Sequence, residues 1–183
     1  MLNMILPLAI ALAAGGNFDQ SHAALDSILK ARVSQGLVDY KGLQADRAPL
    51  DAYLAQAGAV PMAEFQQWKR EEQLAFLINV YNAATLQLIT DGSPADSIKS
   101  LGSLVKSPWS KDTVQLFGKK ISLDTLEHKI IRKNYQEPRI HFAVVCAAMG
   151  CPPLRAEAYT GARLEEQLDA QTKEFLTTTA KNR

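Results

Sequence analysis

One stretch limits the folds open to this chain more than any other: "EEQLAFLINVYNAATLQLIT", Glu71 to Thr90. Wound as a helix, it carries apolar side chains on every face: Leu74, Phe76, Leu77, Ile78, Val80, Tyr81, Leu86, Leu88 and Ile89. A helix that is apolar all round must be surrounded by other elements. At 183 residues the chain can supply that surround as one domain with a sizeable core. Asn79 and Asn82 lie on one side of this helix. A buried amide needs hydrogen-bond partners or costs about 1–3 kcal/mol. The two are expected to tie down neighbouring loops, with a role in orienting a substrate as the sharper alternative.

The surrounding elements can be read from caps and periodicity. Asp19 or Ser21 is placed to cap a helix with Leu25, Ile28, Leu29 and Val33 on one face, ended by Gly36. "LVDY" is a short extended piece. Pro49 opens a second helix, Leu50 to Ala57, closed by Gly58. The long helical stretch runs from about Met62 to Thr90 with a break near Trp68, and "DGSPADS" ends it. Residues 91–112 read as a loop. "TVQLFGKKISL" reads as a hairpin, Val114–Phe117 and Lys120–Leu123 about a turn at Gly118-Lys119. "DTLE" is a capping-box pattern opening a helix from Thr125 to about Asn134. After Pro138 the apolar run is expected as a buried strand. The last helix spans about Ala162 to Thr178, with Leu164, Leu168 and Phe175 inward. This order predicts an α+β fold over residues 17–183, helices packed around a small antiparallel sheet.

The start of the chain reads differently. "MLNMILPLAIALAAGG" is apolar from Ile5 to Ala14 and ends in small residues. As a helix it is too short to span a bilayer comfortably. It fits a secretory signal over residues 1–16, although no Lys or Arg precedes the apolar run. The expectation is a periplasmic or secreted protein with no transmembrane span in the mature chain. The formal net charge is +1 and no long basic run occurs, which argues against a nucleic-acid partner.

"RIHFAVVCAAMGCPPLR", Arg139 to Arg155, holds both cysteines of the chain, Cys146 and Cys151. A structural zinc site needs about four ligands, and no second clustered pair joins these two, so no metal and no cofactor are expected. A thioredoxin-type motif wants a shorter spacing. A disulfide is open, because the compartment permits it and Gly150 lets the chain turn back. So short a loop gains little chain entropy. A nucleophile is also open, and it needs a base within reach. On a regular strand His141 and Cys146 face opposite ways, roughly 16 Å apart, so they form no dyad without a bulge. His141 then reads as a core histidine or a substrate contact. His128 is the better base. It sits off the inward stripe of Leu126, Ile130 and Ile131, facing a cleft or water. Glu127 beside it is the third helical residue of the capping box, or a carboxylate that orients the histidine. Arg155 is placed to bind a carboxylate or phosphate by parallel hydrogen bonds. Lys119, Lys120, Lys129, Arg132, Lys133 and Arg139 outnumber Asp124, Glu127 and Glu137 over the same stretch. That is either a solvated face or a mildly basic rim for a small anionic ligand.

The blocks "LAFLINVYNAATLQLI", "ISLDTLEHKIIR", "PRIHFAVVCAAMGCPPLR" and "YTGARLEEQLDAQTKEFL" follow one another in order. By these blocks the chain, from about Val38 to Leu176, resembles the domain-of-unknown-function family numbered 547. The resemblance implies a widespread, often exported bacterial domain of unsettled activity, with a fold distantly like the papain and transglutaminase class of thiol enzymes. Members of the family continue past the last helix into a further aromatic-rich segment, so it also implies a chain cut short at Arg183.

Two functions stay open. One is a thiol-dependent enzyme acting on an amide, peptide or other acyl substrate. Cys146 or Cys151 would be its nucleophile, His128 its base, Glu127 the orienter, and Asn79, Asn82, His141 and Arg155 would contact substrate. The other is a non-catalytic exported binding or interaction domain, for a small anionic or peptide ligand, whose cysteines are disulfide-bonded or buried.

Overall fold

A computed structural model describes residues 17–92, 107–146 and 151–178. The signal expected over residues 1–16 and most of the loop expected over 91–112 lie outside them. Leu25, Ile28 and Leu29 make the buried face of α1 (Ala23–Arg32). The N-cap position falls on His22, whose side chain makes no capping bond, rather than on Asp19 or Ser21; Asp19 accepts the Ala23 N–H at 3.1 Å through one carboxylate oxygen and the Ser21 N–H at 2.9 Å through the other. The helix stops at Arg32 rather than at Gly36. Val33–Ser34 (β1) and Leu37–Val38 (β2) pair antiparallel across Gln35-Gly36. Both turn residues have positive φ, 51° and 74°, the backbone of the tight hairpin turns that match strand twist. Any side chain at position 36 would also meet Pro153, whose Cβ lies 2.5 Å from where a Cβ would stand.

α2 (Tyr40–Ala45) starts at Asp39, whose side chain accepts the Gly42 N–H at 2.9 Å. α3 (Ala48–Ala59) carries Pro49 in its first turn, where a missing N–H costs nothing. Gly58 does not close this helix. It lies inside it, buried, where an added Cβ would stand 3.0–3.1 Å from Gln115, which would have to give way by a few tenths of an ångström. α4 (Met62–Phe65) is separated from α5 (Arg70–Gly92) by a turn through Trp68, where the break was expected.

The hairpin is β3 (Asp112–Leu116) and β4 (Lys119–Ser122), with Leu116 opposite Lys119. Its turn is therefore Phe117-Gly118, one residue earlier than expected, with φ of 50° and 76°. Phe117 takes that unusual backbone with its ring packed on Phe65, centroids 4.7 Å apart.

The helix after the hairpin is π-wound over Thr125–Ile131 and continues as α6 (Arg132–Asn134). Asp124 does not cap it, because its own backbone is already helical (φ −57°, ψ −42°). The Ser122 hydroxyl takes that place and accepts the Thr125 N–H at 3.1 Å. Glu127 is thus released from the capping box. The strand expected from Arg139 does not form: Ile140–Ala143 is a helical turn (α7), and the chain becomes extended only at Val144. α8 (Leu164–Thr177) closes the described chain after a 3-10 turn at Gly161–Arg163.

The architecture is α+β, with helices dominant and two small antiparallel sheets of two strands each among the described residues. α5 is its axis: every residue from Leu74 to Leu86 is buried. One cluster of core residues joins α5 to the hairpin, the π-helix and α8. A second joins α1, α2 and α3 to Ala83 and Leu86 of α5 and to Leu154 and Ala158.

Candidate functional site

Asn79 and Asn82 do what buried amides must. Asn79 donates to the Tyr159 carbonyl at 2.7 Å and accepts the Tyr159 N–H at 2.9 Å. Asn82 donates to the Ala143 carbonyl at 2.9 Å and accepts the Val145 N–H at 3.0 Å. Both amides are spent on backbone, one on each side of the cysteine segment. α8 completes the clamp from the other side. Gln167, fully buried, donates to the Ala158 carbonyl at 2.9 Å and accepts the Thr160 N–H at 3.0 Å. Gln171 donates to the Pro153 carbonyl at 2.7 Å, and Asp26 accepts the Ala158 N–H at 3.1 Å. Side-chain amides therefore satisfy backbone groups that a sheet ladder would otherwise pair, so these extended segments run through the interior without forming a strand pair.

Between the clamps, Cys146 and Cys151 are bonded to each other, with Cα atoms 6.2 Å apart. Among the described residues no cysteine is free. His128, the expected base, is exposed on the π-helix and makes no hydrogen bond or ion pair among the described residues. The helix directs its neighbour Glu127 inward instead.

The π winding explains that direction. In an α-helix, charged partners meet at i,i+3 and i,i+4. Here the Arg132 N–H bonds the Glu127 carbonyl, five residues back, and the side chains pair at the same spacing. Arg132 Nε and Nη2 donate to the same Glu127 oxygen at 3.0 and 2.9 Å. The carboxylate also lies beside the buried Tyr81 hydroxyl of α5. Burial first, and then the Glu127 charge, push the Tyr81 pKa far upward. Arg132 Nη2 reaches His141 Nδ1 at 2.9 Å as well. A guanidinium can only donate, so Nδ1 accepts and the imidazole proton sits on Nε2. The structure thus assembles Tyr81, Glu127, Arg132 and His141, and it leaves His128 out.

The other expected anion contacts are occupied. Arg155 pairs with Glu157, and its guanidinium lies over the Tyr159 ring. Burial alone would raise the Glu157 carboxyl, but Arg155 and Arg163 hold it down to about 2. Arg139 binds Glu137, Glu165 and Asp169, tying α7 to α8. Of the basic residues expected to form a rim, Lys119, Lys120, Lys129 and Lys133 stay exposed without ion pairs among the described residues.

Sequence reasoning missed Tyr81, Gln167 and Gln171. The glutamines were visible in principle: they interrupt the apolar stripe of Leu164, Leu168 and Phe175 on the inward face of α8. Among the described residues, no group of three or more His, Cys, Asp or Glu is placed to hold a metal. No helix among them is long and apolar enough to cross a membrane. A family model described as "Protein of unknown function, DUF547" matches residues 65–176. No curated protein and no solved structure matches the chain.

Proposed function

The chain belongs to the DUF547 family, and from that premise we propose that it serves as a non-catalytic, exported binding or interaction domain stapled by its disulfide. One observation carries the reading: Cys146 and Cys151 are bonded to each other, and a disulfide sulfur is not the thiolate that nucleophilic catalysis requires. Both histidines near the cysteines in sequence argue the same way. His128 is exposed and has no orienting partner among the described residues. His141 spends its acceptor nitrogen on Arg132, so neither is set up as a base. A disulfide persists in oxidising compartments, which favours the export expected from residues 1–16. The Cys146–Cys151 loop and the amide clamps then act as scaffold, and the ligand is a small anionic or peptide molecule.

The test is alkylation of the deliberately reduced protein with iodoacetamide near neutral pH, in wild type and in His128→Ala. As a binding domain, the protein should alkylate no faster than a model thiol, at one rate in both forms. Fast alkylation of wild type that slows about tenfold or more in His128→Ala would overturn the proposal, because it would reveal an activated thiolate with His128 as its partner.

A further inference from the structure

We infer that Glu64 is the docking site of a new N-terminus: it receives the α-ammonium group created at Asn17 when the signal over residues 1–16 is removed. The inference rests on the export part of the proposed function, and adds the bond that is cut and the residue that meets the new end. Glu64 lies in the first turn of α4, half-buried, and its Oε1 accepts the Phe18 N–H at 3.2 Å. No cation pairs with it among the described residues. Other half-buried carboxylates have one: Glu127 meets Arg132, Glu137 meets Arg139, and Glu157 meets Arg155 and Arg163. What Glu64 has instead is the entry of the chain. Phe18 fixes that entry. Its ring meets His22 and Phe76 edge-on, centroids 5.2 and 5.1 Å away, and it packs against both core clusters. Asn17, one residue earlier, is exposed.

Covalent geometry brings an amine at Asn17 to this carboxylate. Consecutive backbone nitrogens stand at most about 3.7 Å apart. The Asn17 nitrogen therefore lies no more than about 7 Å from Glu64 Oε1 at any ψ, and a ψ near 0° turns both nitrogens toward the same oxygen. The sequence supplies the cut, because Ala14-Gly15-Gly16 is the small-residue pattern of a signal cleavage site. Hydrolysis of the Gly16–Asn17 bond by a signal-removing protease adds one water. It leaves the carboxylate on Gly16 and the amine on Asn17, and that amine is protonated near neutral pH. Before the cut the same nitrogen is a neutral amide. The ion pair thus forms only in the processed chain, and it fastens the N-terminus where Phe18 joins the two clusters. Of the titratable groups around Phe18, Asp19 spends its oxygens on the Ser21 and Ala23 N–H groups. His22 and Tyr53 are buried and uncharged near neutral pH. Glu64 is the carboxylate left for the amine.

The experiment uses the protein isolated from the exported fraction of an expressing bacterium. Its N-terminus is sequenced, and the α-amine is titrated through the NMR shift of the Asn17 Cα, in wild type and in Glu64→Gln. Glutamine keeps an oxygen for the Phe18 N–H and removes only the charge. The expected result is a chain that begins at Asn17, with an α-amine pKa raised by about half a pH unit above the ordinary range of about 7.7–8.0 and returned to it in Glu64→Gln. An α-amine that titrates alike in both forms would overturn the ion pair. Selective acylation of the wild-type α-amine covers the case in which Glu64→Gln does not fold: it should lower the urea midpoint, and an unchanged midpoint would overturn the pair as well. A mature chain that begins at any other residue overturns the site and leaves export standing, whereas cytoplasmic protein with Met1 intact sinks the export reading too. Alkylation of the reduced cysteines bears on catalysis alone and leaves this result untouched.

Discussion

Replacing Asn79 with leucine should lower the unfolding free energy by about 2–6 kcal/mol, and replacing Asn82 should do the same. The magnitude follows from what each amide holds. Asn79 is 1% exposed and satisfies both the N–H and the carbonyl of Tyr159. Asn82 satisfies the Ala143 carbonyl and the Val145 N–H. Leucine keeps most of the volume but leaves two backbone groups unpaired at either site. Each unpaired group costs about 1–3 kcal/mol where water cannot reach it. Stability is a small difference between large terms, so a loss of this size removes much of it. Urea midpoints should fall with little change in slope. Unchanged midpoints in both variants would mean that water or backbone movement supplies the missing partners, and that the clamp is not what holds the cysteine segment.

Acidification should destabilise the protein well above the range in which its carboxylates titrate. His22 is 1% exposed, packed among Phe18, Tyr53 and Phe76, and its Nδ1 lies 2.9 Å from the Tyr53 hydroxyl. Its Nε2 has no hydrogen-bond partner among the described residues. Burial pushes its pKa down from 6.5 to about 4, against a small opposing pull from Asp19. The unfolded chain therefore takes up a proton as the pH falls through 6.5, while the folded chain waits until about 4. The neutral imidazole's contribution is fully present above about pH 6.5 and is lost as the pH falls from there toward 4. Between pH 7 and pH 5 the loss is about 2 kcal/mol. Glu157, held near 2, works in the same direction, but only below its ordinary range near 4.5, so the upper window isolates His22. His22 has left-handed backbone (φ 52°), which asparagine tolerates. His22→Asn should therefore flatten the dependence of the urea midpoint on pH between 7 and 5. An equally steep dependence in the variant would assign the loss to another group.

What the sequence disclosed and what it withheld divide along physical lines. The central helix was legible because its apolar residues fill every face, and no other element can hold such a stretch. The break at Trp68 and the Pro49 start were legible because they rest on local backbone chemistry. The cap before Thr125 was misread by two residues. Ser122 and Asp124 both suit an N-cap, and only the helical backbone of Asp124 decides between them. The strand expected after Arg139 was misread for a different reason. An apolar run of that length fits a buried strand, and its pairing partner was assumed. Its extended end is held instead by the Asn82 side chain of α5, more than sixty residues away in sequence, and Pro153 beyond the cysteines by Gln171 of α8. The parity argument that separated His141 from Cys146 falls with that strand. The Glu127–Arg132 pair was hidden because a π-turn shifts side-chain register by one residue, and no propensity marks where that insertion occurs.

The central claim is that the cysteines are a staple and not a nucleophile. The most direct measurement is the count of free thiols in the protein as isolated from an oxidising compartment. The protein would be unfolded in denaturant with iodoacetamide and no reductant, and its intact mass recorded. The disulfide seen between Cys146 and Cys151 predicts no adduct, and two adducts once reductant is added first. Two adducts without reductant would contradict the account, because both thiols would then be free and the case for a non-catalytic domain would lose its footing.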